Sequence, residues 1–310
     1  MEKHYRCINA VYKERFGSKV AKIPLNAGFT CPNKDGLKGV GGCTYCSKKG
    51  SGDTALSPRI PLKIQFYQIK KRMDAKWKQL KYIPYLQANS NTYASLDRLK
   101  EIYEEILSFE PQQCVALAIA TRPDCLSKEI YDYLEQINRR KKVIVELGLQ
   151  SANEQTAKRI NRCSSNEELI QAVLELHQRK IETVVHIING LPGETETDML
   201  STIDFINQLP IDGIKIHCLL ILKDTPLYEE YRNQPFHVLS LDEYISICCK
   251  QIARLKKDVV IHRLCADALK DDLVAPLWSR NKRVVHNQID RYLKEHNLYQ
   301  GDQYKKSQKL

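Results

Sequence analysis

Short apolar runs recur along this chain at a spacing that fits strands alternating with helices. They stand at "VAKIPLN" (20–26), "YIPYLQA" (82–88), "CVALAIA" (114–120), "VIVELGL" (143–149), "TVVHIIN" (183–189) and "GIKIHCLLI" (213–221). From residue 82 onward each leads into a segment of helical period. Leu62, Phe66, Ile69, Met73, Trp77 and Leu80 form one stripe after Pro61, and Ile130, Leu134 and Ile137 form another after Ser127. Ser95 is the expected cap of the helix between them. Asn166 with Glu167 and Glu168 opens a further helix, and Thr195 with Asp198 makes a capping-box pattern before Met199, Ile203 and Ile206. These stripes read as core-facing packing. Six βα units in this order predict an α/β chain folded as a partial (β/α)6 barrel, with functional loops gathered at the C-terminal ends of parallel strands. A further strand at "DVVIHRL" (258–264) and a helix around "VVHNQIDRYL" (284–293) are expected to close or plug the open side. The expected division is an N-terminal segment 1–19, a core barrel 20–235, and a short C-terminal extension 236–310 packed on the barrel within the same domain.

Composition narrows the setting. The 310 residues are 43% hydrophobic, enough for one large core. The start, "MEKHYRCINAVYKERF", is charged and has no apolar signal core, and no run approaches the roughly 20 apolar residues of a membrane span. A cytoplasmic chain with reduced cysteines and no membrane partner is therefore expected, although it carries 11 cysteines. Net charge is +11, from 48 Lys and Arg against 37 Asp and Glu. The excess is concentrated in 63–81, 138–142, 279–283 and the "KKSQK" tail (305–309). Such clusters attract polyanions, with RNA the natural partner, although solvated helix faces produce them too.

The candidate chemistry lies in "NAGFTCPNKDGLKGVGGCTYC" (26–46), where Cys31, Cys43 and Cys46 are spaced C-x11-C-x2-C among glycines that allow a tight loop. Thiolates are soft ligands for zinc or iron–sulfur clusters, and three without a fourth leave one coordination position open for chemistry. Spacing alone leaves zinc with Cys7 or His4 as a fourth ligand, or a redox CxxC pair, as alternatives. The other eight cysteines show no second CxxC. Cys248 and Cys249 are adjacent on a predicted helix and diverge by about 100°, so a single cluster is expected.

Beyond the cysteines, the chain carries "ANSNTYAS" (88–95), "TRPD" (121–124), "ELGLQS" (146–151), "INR" (160–162), "NGLPGET" (189–195), "KDTPLYEEY" (223–231) and "HRLCADALKDDLVAPLW" (262–278). With the cysteine loop, this ordered set resembles the radical S-adenosylmethionine (SAM) core shared by the Elongator catalytic subunit and the coproporphyrinogen dehydrogenases. It is most similar to the YhcC/YtqA-type radical SAM family, which includes MnmL-type tRNA-modifying enzymes. The resemblance implies a 4Fe-4S cluster on Cys31, Cys43 and Cys46, SAM on the unligated iron, and a low-potential electron donor such as flavodoxin or ferredoxin. It further implies a tRNA substrate, with the carboxymethylaminomethyl side chain at C5 of wobble uridine converted to aminomethyl through a 5'-deoxyadenosyl radical.

The resemblance also carries SAM-binding roles to particular residues. Tyr45 would flank the adenine, Asn91 and Thr92 would meet the amino group, and Gln150 and Arg162 would lie near the ribose and the carboxylate. His186 stands where relatives place a ribose-binding carboxylate. Each has a plainer reading as loop packing, a turn, a surface charge or a satisfied core histidine. Ala120 departs from relatives that carry a carboxylate before the "TRPD" tetrad. Glu146 is a carboxylate in an apolar strand, where an unpaired charge is costly.

Overall fold

In the computed structural model, which describes residues 3–50, 55–266 and 271–305, seven parallel strands form one curled sheet. The chain runs through α1 (Ile8–Phe16), β1 (Val20–Leu25), α2 (Leu62–Asp74), β2 (Lys81–Leu86), α3 (Leu96–Leu107), β3 (Ala116–Thr121), α4 (Lys128–Arg140) and β4 (Lys142–Gln150). It continues through α5 (Glu154–Arg159), α6 (Asn166–Gln178), β5 (Glu182–Asn189), α7 (Glu196–Ile206), β6 (Gly213–Cys218) and β7 (Ile221–Leu222). Last come α8 (Pro226–Asn233), α9 (Leu241–Arg254), β8 (Val260–Arg263), β9 (Leu273–Ala275) and α10 (Lys282–Glu295). The sheet order is β1-β2-β3-β4-β5-β6-β8, a half-barrel open between its edges, and β7 pairs with β9 in a separate antiparallel ribbon.

All six expected core strands are present, and the strand expected at 258–264 becomes β8, which widens the half-barrel beside β6. The terminal helix does not plug the opening. Val285, Ile289 and Leu293 bury its inner face, and α10 packs mainly against α9. The N-terminal part of the lumen is instead capped by α1, which sequence patterning did not single out. Its Tyr12 joins Val20, Ile83, Ala116, Ala118, Ile144 and Val184 in an apolar layer at that end.

Local signals account for most helix ends. Ser95 caps α3 through Arg98 N–H, and Thr195 and Asp198 form the reciprocal box at α7. At α6 Asn166 is the first helical residue, as expected, and the cap before it is Ser165, with Glu168 closing the box. Ser127 makes no cap bond to the backbone of α4. The stripe after Pro61 stops early: α2 ends at Asp74, and Trp77 lies beyond it, exposed, with the Lys19 ammonium 3.8 Å from its ring centre. The N-terminal flank of β2 thus turns where helical periodicity predicted another turn of helix.

Candidate active site

The C-terminal ends of the strands hold the cysteine loop, and four of the seven motifs read from the sequence are part of the grip. From the β2 end, Asn89 accepts Lys34 Nζ at 3.2 Å, donates through Nδ2 to Phe29 O at 2.9 Å, and bonds Gly50 O through its backbone at 2.8 Å. Gly50 has φ +64°, and a Cβ there would sit 1.9 Å from Asn89 Oδ1, so both the turn and the close approach require glycine. From the α5–α6 turn, Asn161 donates to the carbonyls of Gly42 (2.8 Å) and Val40 (3.3 Å), while its own carbonyl accepts Asn33 Nδ2 at 2.5 Å. Thr44 N–H bonds Ile160 O, and Thr44 O accepts Leu227 N–H from α8.

The "TRPD" tetrad braces this turn. Arg122 makes a two-pronged pair with Asp124, both bonds 2.8 Å, and donates to the carbonyls of Arg162 and Cys163. Planar guanidinium geometry suits that bidentate grip. Asn89, Asn161 and Arg122 were missed as loop anchors by sequence reasoning. Asn161 has φ +53° and Asn89 φ +60°, a conformation Asn tolerates better than most residues.

Cys31, Cys43 and Cys46 line one cavity with Tyr45, Gln150, Arg162 and His186. Tyr45 also packs against the cluster of Leu191, Leu219 and Leu227. Gln150 sits at a bulge in β4 with φ +63°. Asn91 and Thr92 are buried and are not among the cavity's lining residues. Asn91 Nδ2 binds the carbonyls of Ala120 and Leu86, and Thr92 Oγ1 meets Thr121 Oγ1 and Cys125 O, both at 2.6 Å. These bonds tie the β2 and β3 ends together, and Asn91 Oδ1 is left buried without a hydrogen-bond partner. Arg162 is also committed to the chain. Its guanidinium donates to Leu149 O, Ser151 O, Ser164 O and Asn166 Oδ1, while the residue also lines the cavity.

Deeper in the lumen stands a charged layer. Glu146 is fully buried and meets Lys22, Lys215 and His186, the last at 2.9 Å. Burial alone would raise its carboxyl, but Lys215 and Lys22, with His186, hold it well below the ordinary carboxylate value. Burial and the Lys215 charge push His186 down to about 4, outweighing Glu146, so the ring is neutral at pH 7. Its neighbour His217 lies 5.2 Å away centre to centre and is likewise driven well below its usual value, first by burial.

The donor set fits a 4Fe-4S cluster: three soft thiols on a tightly anchored loop opening onto a cavity. The zinc alternatives are placed elsewhere. His4 stacks on Tyr299 and contacts Leu298 O, and Cys7 bridges Ile261. Cys248 and Cys249 also part, Cys248 toward Asn189 and Cys249 toward Ile289 O.

A curled parallel half-barrel with three such cysteines beyond its first strand defines the radical SAM class, and residues 33–206 match the Radical SAM superfamily while 211–295 match the Radical SAM C-terminal domain. The chain belongs to this superfamily and is a radical SAM enzyme dependent on a 4Fe-4S cluster and SAM. It is 41% identical to protein YtqA of Bacillus subtilis over 300 residues, covering 97% of this chain and 92% of that one. It is 31% identical over 163 residues, 51% of this chain and 29% of the other, to the tRNA uridine(34) acetyltransferase of Methanocaldococcus infernus. The Elp3 structure from the same archaeon superposes with TM-score 0.67 at 18% identity, over 91% of this chain and 64% of that one. Among the described residues no helix is long and apolar enough to cross a membrane.

Proposed function

We propose that this enzyme modifies tRNA at the wobble uridine, converting a C5 carboxymethylaminomethyl side chain to aminomethyl. The carboxymethyl carbons leave as glyoxylate, water supplies its aldehyde oxygen, and SAM, cleaved to methionine and 5'-deoxyadenosine, accepts the two electrons. The observation that carries the reading is the similarity to an enzyme named for uridine 34 of tRNA. The net charge of +11 suits the polyanion. Cys31, Cys43 and Cys46 hold the cluster. Bound together, cluster and SAM supply a 5'-deoxyadenosyl radical that takes a hydrogen atom from substrate.

The chain's own contribution is placement and exclusion of water. Asn161, Asn89 and Arg122 fix the loop; Tyr45 and Gln150 shape the wall of the cavity where SAM binds; the apolar layer under Tyr12 seals the far end. A base must leave its stack to reach such a lumen, which a single-stranded loop position permits at low cost. The electron comes from a low-potential donor protein, and the setting is the cytoplasm.

The test is anaerobic incubation of the reconstituted enzyme, SAM and reductant with tRNA carrying carboxymethylaminomethyluridine, followed by nucleoside analysis. Aminomethyluridine should appear in step with 5'-deoxyadenosine. Unchanged nucleosides beside continued SAM cleavage would contradict the reading and favour a small-molecule substrate.

A further inference from the structure

The conversion proposed above leaves one proton to be placed. A neutral secondary amine, –NH–CH2–COO⁻, and water become –NH2 and OHC–COO⁻, and two electrons with one proton go to SAM. The second proton is released at the amine nitrogen. Solvent takes it up poorly in a lumen sealed by the apolar layer under Tyr12, so a base of the chain itself is required there.

Most titratable groups between that layer and the cysteine loop are engaged. Glu146 is ion-paired with Lys22 and Lys215 and meets the ring of His186 at 2.9 Å. The Tyr85 hydroxyl accepts from Lys215 Nζ at 3.4 Å, and the Cys218 thiol faces that of Cys265 at 4.0 Å. Arg263 has a partner of its own and is no base. His217 differs. It lies two residues beyond Lys215 on β6, on the same face, between the charged layer and the strand end. Its half-buried ring lines the cavity that the three cysteines open onto, and its Nε2 is shielded from solvent without a hydrogen-bond partner. A buried polar group left unpaired costs free energy, and a ligand that pairs with it recovers that cost.

We propose that His217 is the base of this reaction: its imidazole hydrogen-bonds the N–H of the substrate amine and takes that proton as the carbon–nitrogen single bond becomes an imine. The inference rests on the wobble-uridine reading. The hydrogen atom on carbon and one further electron leave toward SAM, and the N–H proton passes to the ring. Water then cleaves the imine, supplying the aldehyde oxygen, and the imidazolium gives its proton to the product amine. Burial, His186, Arg263 and Lys215 all hold the ring well below its usual value, so it is neutral at pH 7 with a lone pair to offer. The same surroundings favour prompt return of the proton.

The test is chemical rescue in cluster-loaded His217→Ala, whose truncated side chain leaves room for free imidazole. The variant should keep wild-type iron content, SAM affinity and tRNA affinity, and form aminomethyluridine about a hundredfold more slowly. Added imidazole should raise that rate about tenfold and leave the wild type unaffected. His217→Gln, which can hydrogen-bond but takes no proton, should stay slow. Unchanged turnover in His217→Ala, a loss that imidazole does not restore, or full activity in His217→Gln would overturn the proposal. Loss of iron or SAM affinity in both variants would assign the ring to the framework and overturn it too. A wild type that forms no aminomethyluridine would reject the wobble-uridine reading and this role with it, whereas active wild type matched by its variants would reject the role alone.

Discussion

At the scale of single residues, the site depends on a few asparagines and arginines that contribute no chemistry themselves. Asn161 holds two carbonyls of the cysteine loop from a left-handed backbone position. Asn161→Gly keeps the conformation and removes the grip, so it should weaken the loop by about 2 kcal/mol, two ordinary hydrogen bonds. The readout is faster loss of iron to a chelator with all three thiols intact. Arg162→Ala should lower global stability by about 3 kcal/mol, because it leaves several buried carbonyls unpaired. Urea denaturation checks this, and a selective loss of SAM affinity at unchanged stability would contradict it. Glu194, mainly through burial, is pushed up from 4.5 to about 7 and accepts the Ser151 hydroxyl. The folded chain therefore keeps a proton that the unfolded chain releases, and stability falls as pH rises from about 4.5 to about 7. Glu194→Gln should flatten that decline, by about 1 kcal/mol after allowance for partial exposure, as measured by Tm against pH.

At the scale of elements, the run of each helix decides which charges can meet a polyanion. Segment 63–81 is one of the basic clusters of the sequence, and its helix α2 runs from the mouth of the half-barrel to its far end. Its last turn meets the start of β2 through Asp74 and Tyr82, and Lys70 is engaged with Asp74 at 3.1 Å and lies over the Tyr82 ring. Lys71 and Arg72 therefore stand far from the cysteines, whereas exposed Lys48, Lys49, Arg59 and Lys63 belong to the loop side. The quadruple alanine variant of those four should weaken tRNA binding and flatten its salt dependence by up to about four contacts. The Lys71→Ala, Arg72→Ala pair should change neither. Filter binding at several salt concentrations checks both. Most of the "KKSQK" tail lies outside the described residues.

The same scale shows what patterning could and could not reveal. Strand positions were legible because each apolar run is bounded by turn residues, and β1 to β6 and β8 all fall where expected. The charged layer was half legible: Lys22, Glu146, His186, Lys215 and Arg263 each interrupt an apolar strand, yet only Glu146 and His186 stood out. One strand's alternation says which face a residue takes, but register decides which neighbours it meets, and register is a property of the pairing. The hydrogen bonds that Arg162, Asn91 and Thr92 make within the chain were hidden for a related reason. A motif fixes that a residue is needed at a strand end without saying whether it serves the ligand or the turn.

For the molecule as a whole, the half-barrel is layered along its axis. An apolar layer capped by α1 lies at one end, a charged rung in the middle, and the anchored cysteine loop at the other. That order lets a substrate side chain enter between a cluster and a charged floor while water is excluded from below. The central claim is that the three loop cysteines, and no others, carry one 4Fe-4S cluster that binds SAM. Anaerobic reconstitution with iron and sulfide quantification, and reduced-state spectra with and without SAM, tests it most directly. The account predicts about four iron per chain, a spectrum shifted by SAM, and loss of both in Cys31→Ala, Cys43→Ala and Cys46→Ala but in neither Cys248→Ala nor Cys249→Ala. Stoichiometric zinc in place of iron, or a cluster that survives removal of any of the three loop thiols, would contradict it.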